Sequence, residues 1–211
     1  MPVNLKQLQS INELVLRQKD CDLMIVSKNR SVEDIDFLIK KEFYLFGENK
    51  VQEAKKKFSN FNNDRVKLHL IGPLQTNKVK LALSLFDTIQ SLDREKLVLE
   101  ISKEMNKNNS SYKTKEFFIQ VNIGNEDQKS GVLPGSVLNL YKLAQKENLK
   151  VTGLMCIPPN NTDAEKYFKH MNEIKNKIDK NLKLSMGMSN DFQEALKYHS
   201  NMVRIGSKIF L

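Results

Sequence analysis

Residues 117–155 open on Phe117-Phe118-Ile119-Gln120-Val121, a run too short for a helix and rich in aromatic and β-branched side chains. It reads as a strand buried on both faces. Val137, Leu138, Leu140, Tyr141 and Ala144 then recur at helical spacing, and Val151-Thr152-Gly153-Leu154-Met155 is a second strand-like run. Strand, helix and strand form a crossover unit whose strands are parallel.

The unit repeats in both directions from there. Upstream, Phe86-Asp87-Thr88-Ile89-Gln90 precedes a helix carrying Leu97, Val98, Ile101 and Met105. Leu68-His69-Leu70-Ile71 leads into a helix near 75–85, and Phe43-Tyr44-Leu45-Phe46 into one near 48–58. Leu23-Met24-Ile25-Val26 leads into a helix with Val32, Ile35, Leu38 and Ile39, which Ser31 and Asp34 open as a carboxylate analogue of the capping box. Downstream, a helix carries Ala164, Tyr167, Phe168, Met171, Ile174 and Ile178; a strand from Leu182 to Met186 and a helix near 190–199 follow. Met202-Val203-Arg204-Ile205 is the eighth strand, ended by Gly206.

Eight strands alternating with helices predict an α/β fold, a closed (β/α)₈ TIM-type barrel, better than an open dinucleotide-binding sheet. No GxGxxG follows the first strand. Leu5, Leu8, Ile11, Leu14 and Val15 mark a spare helix over residues 5–19, whereas almost nothing follows strand eight. Strands one and eight adjoin in a closed barrel, so this N-terminal helix is expected to cover the seam. A barrel of this type takes about 250 residues, so the 211 here predict a single domain, 1–211.

No run approaches the roughly 18 apolar residues of a spanning helix, and Met1-Pro2-Val3-Asn4-Leu5-Lys6 lacks the pattern of a secretory signal. Cys21 and Cys156 have no CxxC spacing and suit reduced thiols. A cytoplasmic location away from membranes is expected. The net charge is +9, from 34 Lys+Arg against 25 Asp+Glu. The lysines are scattered, however: Lys55-Lys56-Lys57, Lys103, Lys107, Lys113, Lys115, Lys175, Lys177 and Lys180 fall mostly on polar helix sides or in loops. Without an aromatic cluster or a sustained basic helix, a solvated surface is favoured over a nucleic-acid face.

In such barrels the chemistry sits at the carboxyl ends of the strands. Those positions hold Ser27-Lys28, Gly47-Glu48-Asn49, Gly72-Pro73, Asn122, Met155-Cys156-Ile157-Pro158, Ser185 to Asn190, and Gly206-Ser207. The last two groups suit an anion cradle, because glycine lets backbone amides approach a ligand and barrel phosphate sites use the loops after strands seven and eight. Ordinary turn chemistry accounts for the same spacing equally well. Ser189 or Asn190 is placed to cap the following helix, with Gln193 completing a box if Asn190 is the cap. Lys28 ends a buried strand, so its stem starts in the barrel mouth. Partial desolvation there favours the neutral, nucleophilic amine; a lysine snorkelling to solvent is the commoner alternative. A mouth lysine beside a phosphate cradle suits a phosphorylated aldehyde, and pyridoxal 5′-phosphate carries both groups.

Several motifs, in order along the chain, resemble those of the pyridoxal phosphate homeostasis proteins. They are Ile25-Val26-Ser27-Lys28, Phe46-Gly47-Glu48-Asn49 with Val51-Gln52-Glu53, and His69-Leu70-Ile71-Gly72-Pro73-Leu74-Gln75-Thr76-Asn77-Lys78. Val121-Asn122-Ile123 with Lys129-Ser130-Gly131, Gly153-Leu154-Met155-Cys156-Ile157-Pro158, Ser185-Met186-Gly187-Met188-Ser189-Asn190-Asp191 and Val203-Arg204-Ile205-Gly206-Ser207 continue the series. The resemblance implies the barrel of the alanine racemase N-terminal domain and a non-catalytic carrier or buffer of pyridoxal 5′-phosphate. It implies Lys28 as the Schiff-base lysine, Gly206 and Ser207 as the phosphate pair with Ser189 and Ser185 beside them, Arg204 facing the pyridine nitrogen, and Asn49 near the ring hydroxyl. A cationic Arg204 would disfavour protonation of that nitrogen and weaken the ring as an electron sink. The chain departs from the family where Asn29-Arg30 follows the lysine in place of Thr and Pro, and in its short ending, Ile209-Phe210-Leu211.

The resemblance implies no catalytic residues, a monomer, and cofactor-requiring apo-enzymes as recipients. The alternative is a pyridoxal-phosphate-dependent amino-acid racemase, which needs a second base. By alternation His69 shares a face with Lys67 and Ile71, and a buried structural histidine is expected over a proton shuttle. Glu48 and Glu53 are expected at the surface, Ser130-Gly131 is read as a turn over the ligand, and no His/Cys/Asp cluster has metal spacing.

Overall fold

The computed structural model describes residues 3–59, 61, 63–107, 112–160 and 163–210. The first half runs α1 (Leu5–Leu16), β1 (Asp22–Val26), α2 (Val32–Lys40), β2 (Leu45–Glu48), α3 (Val51–Phe58), β3 (Lys67–Leu70), α4 (Val79–Leu85) and β4 (Thr88–Leu92). The second runs α5 (Glu95–Lys107), β5 (Glu116–Val121), α6 (Val137–Lys146), β6 (Val151–Cys156), α7 (Glu165–Ile178), β7 (Lys183–Met188), α8 (Phe192–Lys197) and β8 (Met202–Ile205). The strands form a closed parallel barrel in chain order. β1 meets β8 in register from Asp22 opposite Met202 to Ile25 opposite Ile205. The expected (β/α)₈ barrel is the observed fold.

Strands two and four each begin two residues later than the apolar runs predict. The displaced aromatics finish the preceding turns. Phe43 donates its N–H to Leu38 O at 3.0 Å, and Phe86 donates to Ala82 O at 3.0 Å as the C-cap of α4. β4 continues instead into Gln90 and Ser91, which are buried but polar. The Ser31–Asp34 capping box is present, with Asp34 N–H donating to Ser31 Oγ at 3.1 Å.

Alternation sorts each strand between two apolar regions. One lies between sheet and helices and includes Ile25, Leu68, Leu70, Ile89, Ile119 and Leu184. The other, Met24, Ile71 and Met202 with Val26 and Leu45, is separate and fills the barrel itself. Gly47 makes room there, since a Cβ on it would lie 2.5 Å from Met24 Sδ. Each fully buried Ile, Leu or Phe contributes about 1.5–3 kcal/mol.

α1 covers the seam as expected. It buries Leu8, Ile11 and Val15. Just before it, Val3 forms an antiparallel bridge to Phe210, and Asn4 N–H donates to Ile209 O at 2.8 Å. The opposite side of β8 carries a β-bulge. Ser185 pairs with Met202 but Met188 with Arg204, so β7 holds one residue more than β8, and Gly187 takes φ +92° within it. Such an insertion turns the following side chains in a new direction.

Candidate functional site

At the carboxyl ends of β1, β6, β7 and β8 lies a cavity of about 650 Å³. Its wall includes Lys28, Ser189, Asp191, Arg204, Gly206 and Ser207. Period-two alternation from Met24 and Val26 brings Lys28 to the inner side, and from Met202 it brings Arg204 and Gly206 there.

Lys28 is exposed, not partly desolvated as expected, because it lies past the end of β1 in a turn closed by Arg30 N–H donating to Ser27 O at 3.1 Å. Among the described residues its ammonium has no hydrogen-bond or ion-pair partner. Glu48, Glu53 and Lys57 correct a second expectation. Glu48 and Lys57 are buried, and Glu53 is half-buried. Lys57 Nζ lies 2.7 Å from Glu48, 2.7 Å from Glu53 and 2.6 Å from Ser27 O. Ser27 Oγ donates to Glu48 at 2.7 Å, and Asn29 N–H donates to Glu53 at 2.5 Å. Glu48 belongs to β2 and not to the helix expected near 48–58, so the two carboxylates reach Lys57 from different elements. Burial pushes the Glu48 carboxyl above its ordinary pKa against the opposing pull of Lys57 and Ser27. Burial acts on Glu53 in the same direction, but hydrogen bonds from Lys57 and Asn29 together hold it below the usual range.

Across the cavity, the N–H groups of Gly206 and Lys208 both point at Ser189 Oγ, each at a long 3.4 Å. They are backbone donors converging on one oxygen position. Gly206 also lets β8 close on β1, since a Cβ there would lie 3.2 Å from Val26 Cβ. Neither Ser189 nor Asn190 caps α8. The cap position is Asp191, whose Oδ1 instead accepts the N–H of Met188 at 2.6 Å.

Arg204 is 2% exposed, and its guanidinium is held by both terminal nitrogens, donating to Ser185 Oγ at 2.8 Å and to Cys156 O at 2.7 Å. Ser185 is fully buried behind it and does not line the cavity. Asn49 is also off the wall; its backbone packs on Gly72, where a Cβ would come 2.2 Å from Asn49 O. The structure therefore gathers Lys28, Ser189, Arg204, Gly206 and Ser207 around one space, and leaves Ser185 and Asn49 outside it.

His69 lies deep in the barrel, its Nδ1 2.9 Å from Gln90 Nε2. Burial pushes its pKa down to about 4, so the ring is neutral at pH 7. It is the structural histidine expected. Burial likewise raises the Cys156 thiol to about 12. Gly131 closes the loop after β5 at φ +127°, and nearby Lys129 donates to Pro158 O at 3.1 Å, so this loop braces the cavity's β6 wall. The described residues hold no His/Cys/Asp/Glu group able to bind a metal, and no helix among them is long and apolar enough to cross a membrane.

The closed barrel with a lysine at the end of β1 and an amide corner after β8 defines a barrel of the alanine racemase type. The family described as Alanine racemase, N-terminal domain, matches residues 4–211. The pyridoxal phosphate homeostasis protein of Aquifex aeolicus (strain VF5) is 37% identical, covering 98% of this chain and 93% of that protein. The protein of that name from Pasteurella multocida (strain Pm70) is 39% identical over 89% of this chain and 84% of the relative. The chain belongs to the pyridoxal phosphate homeostasis proteins, within the alanine racemase N-terminal domain family. The structure of PipY from Synechococcus elongatus with pyridoxal phosphate bound superposes with a TM-score of 0.82 at 26% identity, covering 98% of this chain and 99% of PipY. Alanine racemase of Clostridium difficile shares the fold, with a TM-score of 0.77 at 15% identity over 97% of this chain and 55% of the racemase.

Proposed function

We propose that this chain binds pyridoxal 5′-phosphate in the mouth cavity and serves as a carrier or buffer of the cofactor. The observation that carries this reading is one cavity lined by an unengaged lysine, a buried arginine and Gly206, whose N–H converges with that of neighbouring Lys208 on Ser189 Oγ. The residues fit the group. The amides of Gly206 and Lys208, with the hydroxyls of Ser189 and Ser207, would take the phosphate. Arg204, fixed by Ser185 and Cys156, would face the ring, and Lys28 would hold the cofactor covalently. When bound, pyridoxal phosphate supplies an aldehyde to whose carbon a deprotonated lysine nitrogen bonds, the oxygen leaving as water.

The reading extends to no catalysis. The cavity's ionisable wall groups are Lys28, Asp191 and Arg204. Arginine stays charged, which leaves Asp191 as the one carboxylate among the described wall residues, and the reading assigns it to the β7–α8 turn, where its Oδ1 accepts the Met188 N–H. We further propose a cytoplasmic, monomeric, single-domain protein that delivers the cofactor to apo-enzymes. The similar lengths of the chain and its relatives support the single domain.

Borohydride reduction of the loaded protein, followed by peptide mapping, is expected to find the cofactor on Lys28. Lys28→Ala should lose the adduct and the visible absorbance, and the parent should not racemise free amino acids. Attachment to another lysine, or racemisation that Lys28→Ala abolishes, would overturn the corresponding part of the reading.

A further inference from the structure

We propose that Glu53 and Lys57 of α3 are positioning residues for Lys28, fixing the turn that presents its amine to the cavity. The inference rests on the cofactor reading above and concerns how attachment is made fast.

The residues on either side of Lys28 are tied down, and Lys28 is not. Beyond the turn bond from Arg30 N–H to its carbonyl, Ser27 is held three further ways. Its N–H donates to Gly47 O at 3.1 Å, its Oγ to Glu48 at 2.7 Å, and its carbonyl accepts from Lys57 at 2.6 Å. Asn29 has φ +58°, a left-handed conformation that disfavours most side chains, and its N–H is held by Glu53 at 2.5 Å. An ammonium has three donors. Lys57 directs them to Glu48, Glu53 and Ser27 O.

Apolar contacts also dock α3. Val51, Ala54 and Phe58 are buried there, and Phe58 meets the β2 ring of Phe46 at 5.6 Å between centroids. Apolar residues in place of a buried ion pair commonly serve stability as well or better. What the charges add is directional. They orient Ser27 O and Asn29 N–H, and thereby the Cα–Cβ bond of the lysine between them. Fixing the backbone of a reacting group reduces the entropy lost in reaching the reactive geometry.

The test mixes pyridoxal phosphate with the parent, Glu53→Ala, Glu53→Gln and the double variant Glu48→Gln/Lys57→Met, and follows the visible absorbance in time. Equilibrium binding of pyridoxamine 5′-phosphate, which keeps ring and phosphate but has no aldehyde, is measured alongside. Glu53→Ala and the double variant should attach the cofactor about tenfold more slowly, through loss of alignment alone, with pyridoxamine phosphate affinity unchanged. Glu53→Gln keeps an acceptor oxygen for Asn29 N–H and should recover most of the rate. A parental rate in Glu53→Ala overturns the positioning role. So does an equal loss of pyridoxamine phosphate binding, which would make the cluster merely structural. Failure of the parent itself to attach at Lys28 overturns the cofactor reading, and the positioning role falls with it.

Discussion

His69 shows how a single side chain ties the barrel interior to pH. Its ring is buried against Gln90, and desolvation holds its pKa near 4. In the unfolded chain the value returns to about 6.5. Between these values the unfolded state binds the extra proton, so the stability of the neutral ring is complete above pH 6.5 and drains away as pH falls towards 4. The full effect is about 3 kcal/mol, from about 1.4 kcal/mol per pKa unit. Glu48, raised by burial, works in the opposite direction at low pH, so the useful quantity is a difference between proteins. Urea midpoints of the parent should fall more steeply from pH 7 to 5 than those of His69→Gln, which keeps a hydrogen-bonding partner for Gln90. Parallel curves would show that the ring titrates freely. At this scale Lys28 and Gly206 were legible because they stand at strand ends, which locate them from one strand alone, whereas Arg204 entered only through the family resemblance. Lys57 was not. It sits in a basic run that resembles surface, and its partners Glu48 and Ser27 reach it only when β1, β2 and α3 pack together.

The β7–α8 connection makes the corresponding point for elements. Its apolar run was readable, but the bulge that redirects it was not, because an inserted residue exists only relative to the register of β8. β2 and β4 begin two residues late for another reason, because the backbones of Phe43 and Phe86 are taken up in finishing the preceding helices. Within the bulge, Gly187 combines φ +92° with a space in which a Cβ would lie 2.5 Å from Ala195 Cβ. A left-handed side chain and an overpacked contact together cost about 2–4 kcal/mol. Gly187→Ala should therefore lower the denaturation midpoint. It should also weaken pyridoxamine phosphate binding, because relaxing the bulge moves Ser189 away from the Gly206 and Lys208 amides. Calorimetric titration of the variant checks the second effect. Parental affinity in a destabilised Gly187→Ala would mean that the bulge shapes α8 alone.

On the scale of the whole molecule, a closed barrel joins its first and last elements, and here that junction lies against the anion corner. The loop carrying the Gly206 and Lys208 amides continues into Ile209, which is fully buried. Ile209 N–H donates to Gly206 O at 3.0 Å, while Ile209 O accepts from Asn4 at 2.8 Å. One residue thus links the amide corner to the segment that starts α1. Ile11, buried in the middle of α1, has no such link to the corner. Truncating either isoleucine to alanine should cost about 2–5 kcal/mol. Their effects on binding should differ. Ile11→Ala loosens the helix on its sheet but leaves the loop anchored through Asn4, so pyridoxamine phosphate should bind as in the parent. Ile209→Ala removes the buried side chain that anchors the loop just after the two amides, so stability and affinity should fall together. Chemical denaturation and anion titration of both variants at one pH separate the two outcomes. Equal losses of affinity would show that seam and phosphate corner behave as one rigid unit, and an unchanged affinity in Ile209→Ala would show that β8 alone holds the amides in place.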